Sequence, residues 1–428
     1  MEQTIKQKPS LKWIYDALIK KMRPDQQYRQ LIFHILKQLT AVSLEIEENE
    51  NTYYFGNQSA ALSGKIKVHD VSFYQDLIFK GSIGAAQAYI AGKWSSPNLT
   101  HVIQIMAKSQ QQLDAIERKT QWLVTLKNQW LRLKNKNSNQ GAKRNILAHY
   151  DLGNDLYESF LDSSMLYSCA IYPKHNATLH QAQQHKMHTI CQQLGLNEQD
   201  HVIEIGTGWG GLAIYMAQHY GCKVTTTTIS EAQHDLAKKT IDALGLTNQI
   251  TLLKQDYRQL SGQFDKLVSI EMIEAVGHEY LATFFKTCSA LLKPNGKMLL
   301  QSITIADQRY EQYRKGVDFI QKYIFPGGCL PSISEIAKHF SNHTDMVIHE
   351  INDIGLHYAR TLNDWRVAFL ANWSGLDPQK YDEEFKRLWL FYFSYCEGAF
   401  RERVISTHQI LARKPDYKGL KDEALLDY

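Results

Sequence analysis

The sequence predicts an α/β protein. Its larger part reads as a doubly wound, Rossmann-like sheet, and a smaller, mainly helical N-terminal domain precedes it. Three observations support this. A short apolar run, Val202–Ile205, leads directly into glycines at 206, 208, 210 and 211 and then into a helical stretch, Leu212–Tyr220. Beyond it, strand-like and helix-like segments alternate, the pattern of a parallel sheet covered on both faces. Ahead of it, most segments carry apolar residues at helical spacing.

In chain order, Leu11–Arg23 sets Leu11, Ile14, Tyr15, Leu18, Ile19 and Met22 on one helical face. Val42–Ser63 alternates more and contains Tyr53, Tyr54 and Phe55, which predicts short strands. Phe73–Trp94 predicts helices built around small residues, and Leu99–Leu133 a further helical stretch. Asn135–Arg144 is polar and basic without apolar periodicity and reads as a linker. The expected organisation is a domain over 1–134, a linker over 135–145 and a second domain over 146–428. From His149 the chain is rich in aromatics and turn formers, and a helix is expected over 179–194. Strands are expected at 202–206, 223–228, 250–254, 266–271 and 297–303, with helices at 211–219, 231–243 and 279–291.

Strand, glycine turn and helix form the entry to a sheet that binds a nucleotide-like ligand at the carboxyl ends of its strands. Glycine lets the backbone approach the ligand closely. The spacing here is G-x-G-x-G, and Glu204 stands inside the strand just before it. An acid there would repel a pyrophosphate but suits a ligand carrying positive charge. S-adenosylmethionine, with a sulfonium and an ammonium, fits. The second strand ends in Thr225–Thr228 and Ser230, without the acid that holds a dinucleotide ribose, which counts against NAD. Asp256, after the third strand, is either an adenine acceptor or a turn cap.

Composition narrows the remaining classes. Six cysteines, at 169, 191, 222, 288, 329 and 396, show no C-x-x-C spacing and read as reduced thiols. The seventeen histidines show no H-E-x-x-H, so no metal is expected. The start is polar, and no run of about 18 apolar residues occurs, so neither a signal peptide nor a membrane span is expected. Residues 1–150 hold 21 Lys and Arg against 11 Asp and Glu, whereas the remainder holds 27 against 33. A front half with an excess of ten positive charges implies an anionic partner. Without stacking aromatics of the RNA-reader type, no nucleic acid is expected, and an anionic membrane surface is the better partner. A solvated basic face is the plainer alternative.

The segments HYDLGNDLY, MLYSCAIY, GTGWGG, TTIS, QDYR, YIFPGGCLPS and CEGAFR occur in this order. That set resembles the cyclopropane-fatty-acyl-phospholipid synthases, S-adenosylmethionine-dependent lipid methyltransferases. The resemblance is strong over 145–412 and weaker in front, where GSIGAAQAYIAGKW matches the family's helical pattern. It implies a class I methyltransferase domain. It also implies a reaction: a cis double bond of a phospholipid acyl chain attacks the sulfonium methyl, and the carbocation loses a proton as a cyclopropane ring closes. It further implies that a bound bicarbonate takes the proton, in a cage mapping onto Cys169, Glu274, Gln301, Ile303 and Tyr358. Ile303 would serve through its backbone. Two departures stand out: Gln301 replaces a histidine common in the family, and Ala275 replaces another.

Cys396 matches a cysteine long marked as active in the family, but an alkene attacking a methyl needs no covalent intermediate, so a place lining the acyl channel suits it better. Trp389, Phe391, Tyr392, Phe393 and Tyr395 around it suit an apolar tunnel or an amphipathic core helix. Expected cofactor contacts are Tyr167 and Ser168 over the methionine part, Glu204, Gly206 and Gly208 at the amino-acid end, and Gly210 opening the helix. Thr228, Ser230 and Gln233 fall near ribose and adenine, with Asp256 and Tyr257 flanking the adenine. The expected setting is cytoplasmic, peripheral to the inner face of the membrane, with an unsaturated phospholipid as substrate and the chain as a homodimer. Two alternatives stay open: a relative giving a methyl-branched or methylene product, and a lipid-surface binding protein with a decayed site.

Overall fold

The computed structural model of the protein describes residues 24–109 and 152–418. These fall into two compact units, one within Met1–Val124 and the other within Thr125–Tyr428. The expected helix at 11–23, the linker at 135–145, the far part of Leu99–Leu133 and His149 lie outside the described residues.

The smaller unit runs α1 (Pro24–Leu36), β1 (Ser43–Glu48), β2 (Asn51–Gly56), β3 (Ser63–Val68), α2 (Ser72–Ile90), β4 (Trp94–Ser95) and α3 (Leu99–Lys108), with sheet order β2-β1-β3-β4. Helices hold most of its regular residues. The strands expected over 42–63 form a hairpin whose two-residue turn, Asn49-Glu50, has positive φ at both positions. That is the backbone a twisted two-residue hairpin demands. Strand β1 alternates half-buried and buried residues, so Leu44 and Ile46 enter the core with Phe33, Phe55 and Tyr74.

The larger unit contains α4 (Asn154–Glu158), α5 (Leu179–Leu194), β5 (His201–Ile205), α6 (Gly211–Tyr220), β6 (Lys223–Thr228), α7 (Glu231–Ala243), β7 (Ile250–Lys254), β8 (Phe264–Ile270), α8 (Leu281–Leu291), β9 (Leu292–Ile305), α9 (Asp307–Tyr313), α10 (Phe319–Tyr323), α11 (Ile333–His343), β10 (Val347–Asp353), α12 (Gly355–Asn372), α13 (Glu383–Arg401) and β11 (Ile405–Arg413). The sheet order is β10-β11-β9-β8-β5-β6-β7. All five expected strands are present and pair in parallel. The expected parallel sheet is extended at one side. There β11 pairs antiparallel with β9 and β10, so the sheet is mixed.

Alternation along the strands supplies both faces. Val202, Val224, Val268, Leu299 and Leu411 join α5 and α6 in one core, whereas Ile203, Leu267, Met298, Leu300 and Ile410 join α8 and α11 in the other. Helix α5 starts on a capping box, Thr178 with Gln181, and stops at Gly195 in the left-handed conformation. Strand β6 is a β-branched run, KVTTTT, buried from Val224 onward. Helices α12 and α13 pack on each other and carry Trp365, Phe369, Trp389 and Phe393, all buried.

Candidate active site

The carboxyl ends of β5, β6, β8 and β9 converge on two neighbouring groups of side chains. The first surrounds the glycine turn. Gly206, Gly208 and Gly210 all have positive φ, at 103°, 54° and 93°. A Cβ on Gly208 would meet nothing within 4 Å, so the turn opens onto free space there. Glu204 is buried and takes one hydrogen bond, from Thr226 Oγ1 at 2.6 Å. Desolvation pushes its carboxyl up to about 8, with the Thr226 bond opposing. A buried acid that wants a cation beside it fits the sulfonium and ammonium of S-adenosylmethionine. Thr228 Oγ1 donates to Gln233 Oε1 at 2.9 Å, and Ser230 caps α7 by accepting from Gln233 N. Asp256 acts as the turn cap: it accepts from Arg258 N and is clamped by the Arg258 guanidinium, which outweighs burial and holds its carboxyl low. Tyr257 packs edge-on against Phe284. Tyr167 donates to Tyr392 Oη at 2.9 Å, and Ser168 Oγ accepts from Lys186 Nζ at 2.6 Å.

The second group is built around Glu271, a residue the sequence reading did not single out. It follows β8 directly and sits at φ 51°, in the left-handed region. A long side chain held there marks a position that the surroundings fix against local preference. Its Oε1 accepts from Cys169 N at 3.0 Å and Gln301 Nε2 at 2.7 Å, and its Oε2 accepts from Tyr358 Oη at 2.7 Å. Glu271 N donates in turn to Gln301 O at 2.8 Å. Gln409 on β11 donates to Gln301 Oε1 at 2.9 Å, which fixes the amide so that its NH2 faces Glu271. Burial raises the Glu271 carboxyl, and the donors from Cys169 and Gln301, Lys186 and Tyr358 oppose the rise. Glu274 lies one short turn further on. Its Oε1 accepts from Ser302 Oγ at 3.0 Å and from Ile303 N, and its Oε2 is buried without a partner among the described residues. Burial, then the charge of Glu271, pushes the Glu274 carboxyl up to about 8.

The five residues expected to cage an anion therefore come together, but in two sets. Cys169, Gln301 and Tyr358 serve Glu271, whereas Ile303 serves Glu274 through its backbone N–H, the mode expected for it. Gln301 and Cys169 are fully buried, and the Cys169 thiol is raised by burial first, so it is no thiolate nucleophile. Tyr358 stacks on Phe400 with centroids 4.6 Å apart and meets Trp365 edge-on. Among the described residues Cys396 takes no part in the hydrogen bonds of this cluster; it follows Tyr395, which with Phe391 packs around Phe319, and burial raises its thiol. Of the aromatics expected to line a tunnel, Trp389 and Phe393 pack against Phe160 and Phe369 as core, while Tyr392 faces Tyr167 and Phe325. One signal for Glu271 was present: it is the acid at the very end of the fourth expected strand, where such sheets place functional groups.

The family model described as mycolic acid cyclopropane synthetase matches residues 137–410. The chain belongs to this family. As a member it is an S-adenosylmethionine-dependent methyltransferase. The chain is 36% identical over 385 residues to the cyclopropane-fatty-acyl-phospholipid synthase of Escherichia coli strain K12, covering 87% of this chain and 96% of that one. It is 37% identical over 340 residues to the tuberculostearic acid methyltransferase UfaA1 of Mycobacterium tuberculosis, covering 77% and 78%. Among solved structures, the mycolic acid cyclopropane synthase CmaA1 complexed with SAH and CTAB shares 30% identity with a TM-score of 0.60, over 64% of this chain and 98% of that one. Glu204, the glycine turn and the Glu271 carboxylate with its three donors are all in place, which argues against a decayed site.

Proposed function

We propose that the protein methylates the cis double bond of an unsaturated phospholipid acyl chain, and that the Glu271 carboxylate removes the proton that follows. S-adenosylmethionine supplies an electrophilic methyl when bound. Glu204 favours its positive end, and Tyr167, Ser168 and the glycine turn at 206–210 form the rest of its seat. Adding a methyl cation to the alkene leaves a carbocation on the chain. Loss of one proton, with the C–H electron pair closing onto the cationic carbon, gives the cyclopropane. Aromatic faces of Tyr358, Trp365 and Phe400 near Glu271 suit the transient positive charge.

The observation that carries this reading is the occupation of the cage. A bicarbonate would draw on Cys169 N–H, Gln301 NH2 and Tyr358 O–H, and those donors already hold the Glu271 carboxylate. Burial raises the basicity of that carboxylate, which suits a proton acceptor. A second reading shares every step but the last. After a hydride shift moves the cation to the carbon bearing the new methyl, a base fixed to the chain can take a proton from that methyl and leave a methylene product, which a separate hydride donor would have to reduce to give a saturated methyl branch; the likeness to a tuberculostearic acid methyltransferase supports it. The front half's positive excess supports docking on an anionic membrane surface.

The test is expression in a host lacking the activity, followed by mass spectrometry and proton NMR of its fatty acids. A gain of one CH2 unit is expected; ring protons at high field identify cyclopropane, vinylidene protons a methylene product, and a gain of CH4 with a methyl doublet a branch reduced by a separate hydride donor. Unchanged fatty acids would refute lipid methylation.

A further inference from the structure

Lys186 is the one Lys, Arg, Asp or Glu in the α5 sequence, and it points inward, 1% exposed. An ammonium carries three donor protons. Among the described residues Lys186 Nζ reaches a single hydrogen-bond acceptor, Ser168 Oγ at 2.6 Å. A buried cation with two unspent protons is costly unless an anion completes it. Because Ser168 Oγ receives the ammonium proton, its own O–H remains to be donated, and no described residue takes it. The neighbouring Gln183 fixes the segment by donating to Leu166 O and Ser168 O. That segment lies over the start of α6: a Cβ on Gly211 would stand 2.4 Å from Ser164 O and 3.2 Å from Leu166 Cδ2. The segment that carries Ser168 thus packs on the start of the helix that opens at the glycine turn, and the fields acting on Lys186 come from Glu271 and Cys169 in the neighbouring group.

We propose that Lys186, with the Ser168 hydroxyl it polarises, is a positioning residue that binds the α-carboxylate of S-adenosylmethionine, the only anionic group that ligand carries. The inference rests on the cofactor reading. It adds a division of charge: Glu204 answers the ligand's positive groups, and Lys186 with Ser168 answers its carboxylate. The charged or titratable groups whose fields reach Lys186 are Glu271, Cys169 and Asp162. A counter-charge to Glu271 alone is therefore the competing role for Lys186, and the test must separate the two.

Titration calorimetry on the full chain compares S-adenosylmethionine with its decarboxylated analogue. The wild type is expected to prefer the parent ligand. Lys186→Met should weaken the parent by about tenfold or more, the usual size for a lost hydrogen bond to a charged group, and leave the analogue unchanged. Ser168→Ala should do the same while keeping the lysine, so the result survives if the Met variant folds poorly. The double variant should lose no more than either single one. Equal weakening of both ligands, or of neither, would overturn the carboxylate role and leave Lys186 a counter-charge. A wild type that binds neither ligand would instead overturn the cofactor reading.

Discussion

Glu271→Gln removes the proposed base and little else. The Gln carbonyl can take the place of Oε1, where Cys169 N–H and Gln301 Nε2 both point, at 3.0 and 2.7 Å. Its NH2 then faces Tyr358 Oη, and that hydroxyl can turn its proton away and accept. The cage survives, but an amide does not accept a proton at neutral pH. General-base assistance is worth about 10²–10⁴-fold in rate, or about 3–5 kcal/mol of barrier. Turnover should fall by that factor while the dissociation constant for S-adenosylmethionine stays near wild type. The assay is methyl transfer to vesicles of unsaturated phospholipid in buffer stripped of CO2, with and without added bicarbonate. The wild type should need no bicarbonate, because its carboxylate is built in. Its acid limb should lie above the ordinary carboxylate range, since burial raises the Glu271 pKa. A Gln variant with near-normal turnover, or a wild type that stalls without bicarbonate and recovers with it, would refute the assignment.

Three further outcomes are expected. Desolvation pushes the Glu204 carboxyl up to about 8 in the folded chain from its ordinary 4.5, so its contribution to stability is full below about pH 4.5 and is lost as pH rises through about 8. Glu204→Gln should therefore raise the melting temperature of the cofactor-free protein most at alkaline pH, and should weaken S-adenosylmethionine binding by about tenfold or more; calorimetry that finds unchanged affinity would remove Glu204 from the site. Gln409→Leu strips Gln301 of the partner that orients it and leaves its buried carbonyl unpaired, which should cost about 1–3 kcal/mol in a denaturant titration and lower turnover; an unchanged midpoint and rate would deny it that role. The excess of ten positive charges in residues 1–150 should bind anionic vesicles in a sedimentation assay, with binding falling between low and high salt; salt-insensitive binding would point to an apolar contact instead.

Sequence and structure divide the molecule in an instructive way. The glycine turn, the five parallel strands and the helices between them follow from local patterns, because a buried strand needs an unbroken apolar run and a helix needs its stripe within a dozen residues. Strand β10 escapes that logic. As an edge strand its sequence VIHEIND is mostly exposed, and only pairing with β11 makes it a strand. The mixed character of the sheet follows from that same long-range pairing.

The site divides similarly. The family resemblance that the motifs carry implied one set of Cys169, Glu274, Gln301, Ile303 and Tyr358, and glycine spacing with an inner acid marked Glu204 and its turn. What they could not assign was which carboxylate the donors face. Glu271 and Glu274 lie three residues apart in SIEMIEAVG, and the one local difference, that Glu271 ends the expected strand, does not say which donors reach it. The left-handed backbone at Glu271 and the partners 102 residues before it, 30 residues after it and 87 residues after it set its role. Hydrogen bonds of that separation exist only once β8, β9 and α12 are packed, so the sequence by itself determined which residues gather, and the tertiary structure decided which carboxylate they serve.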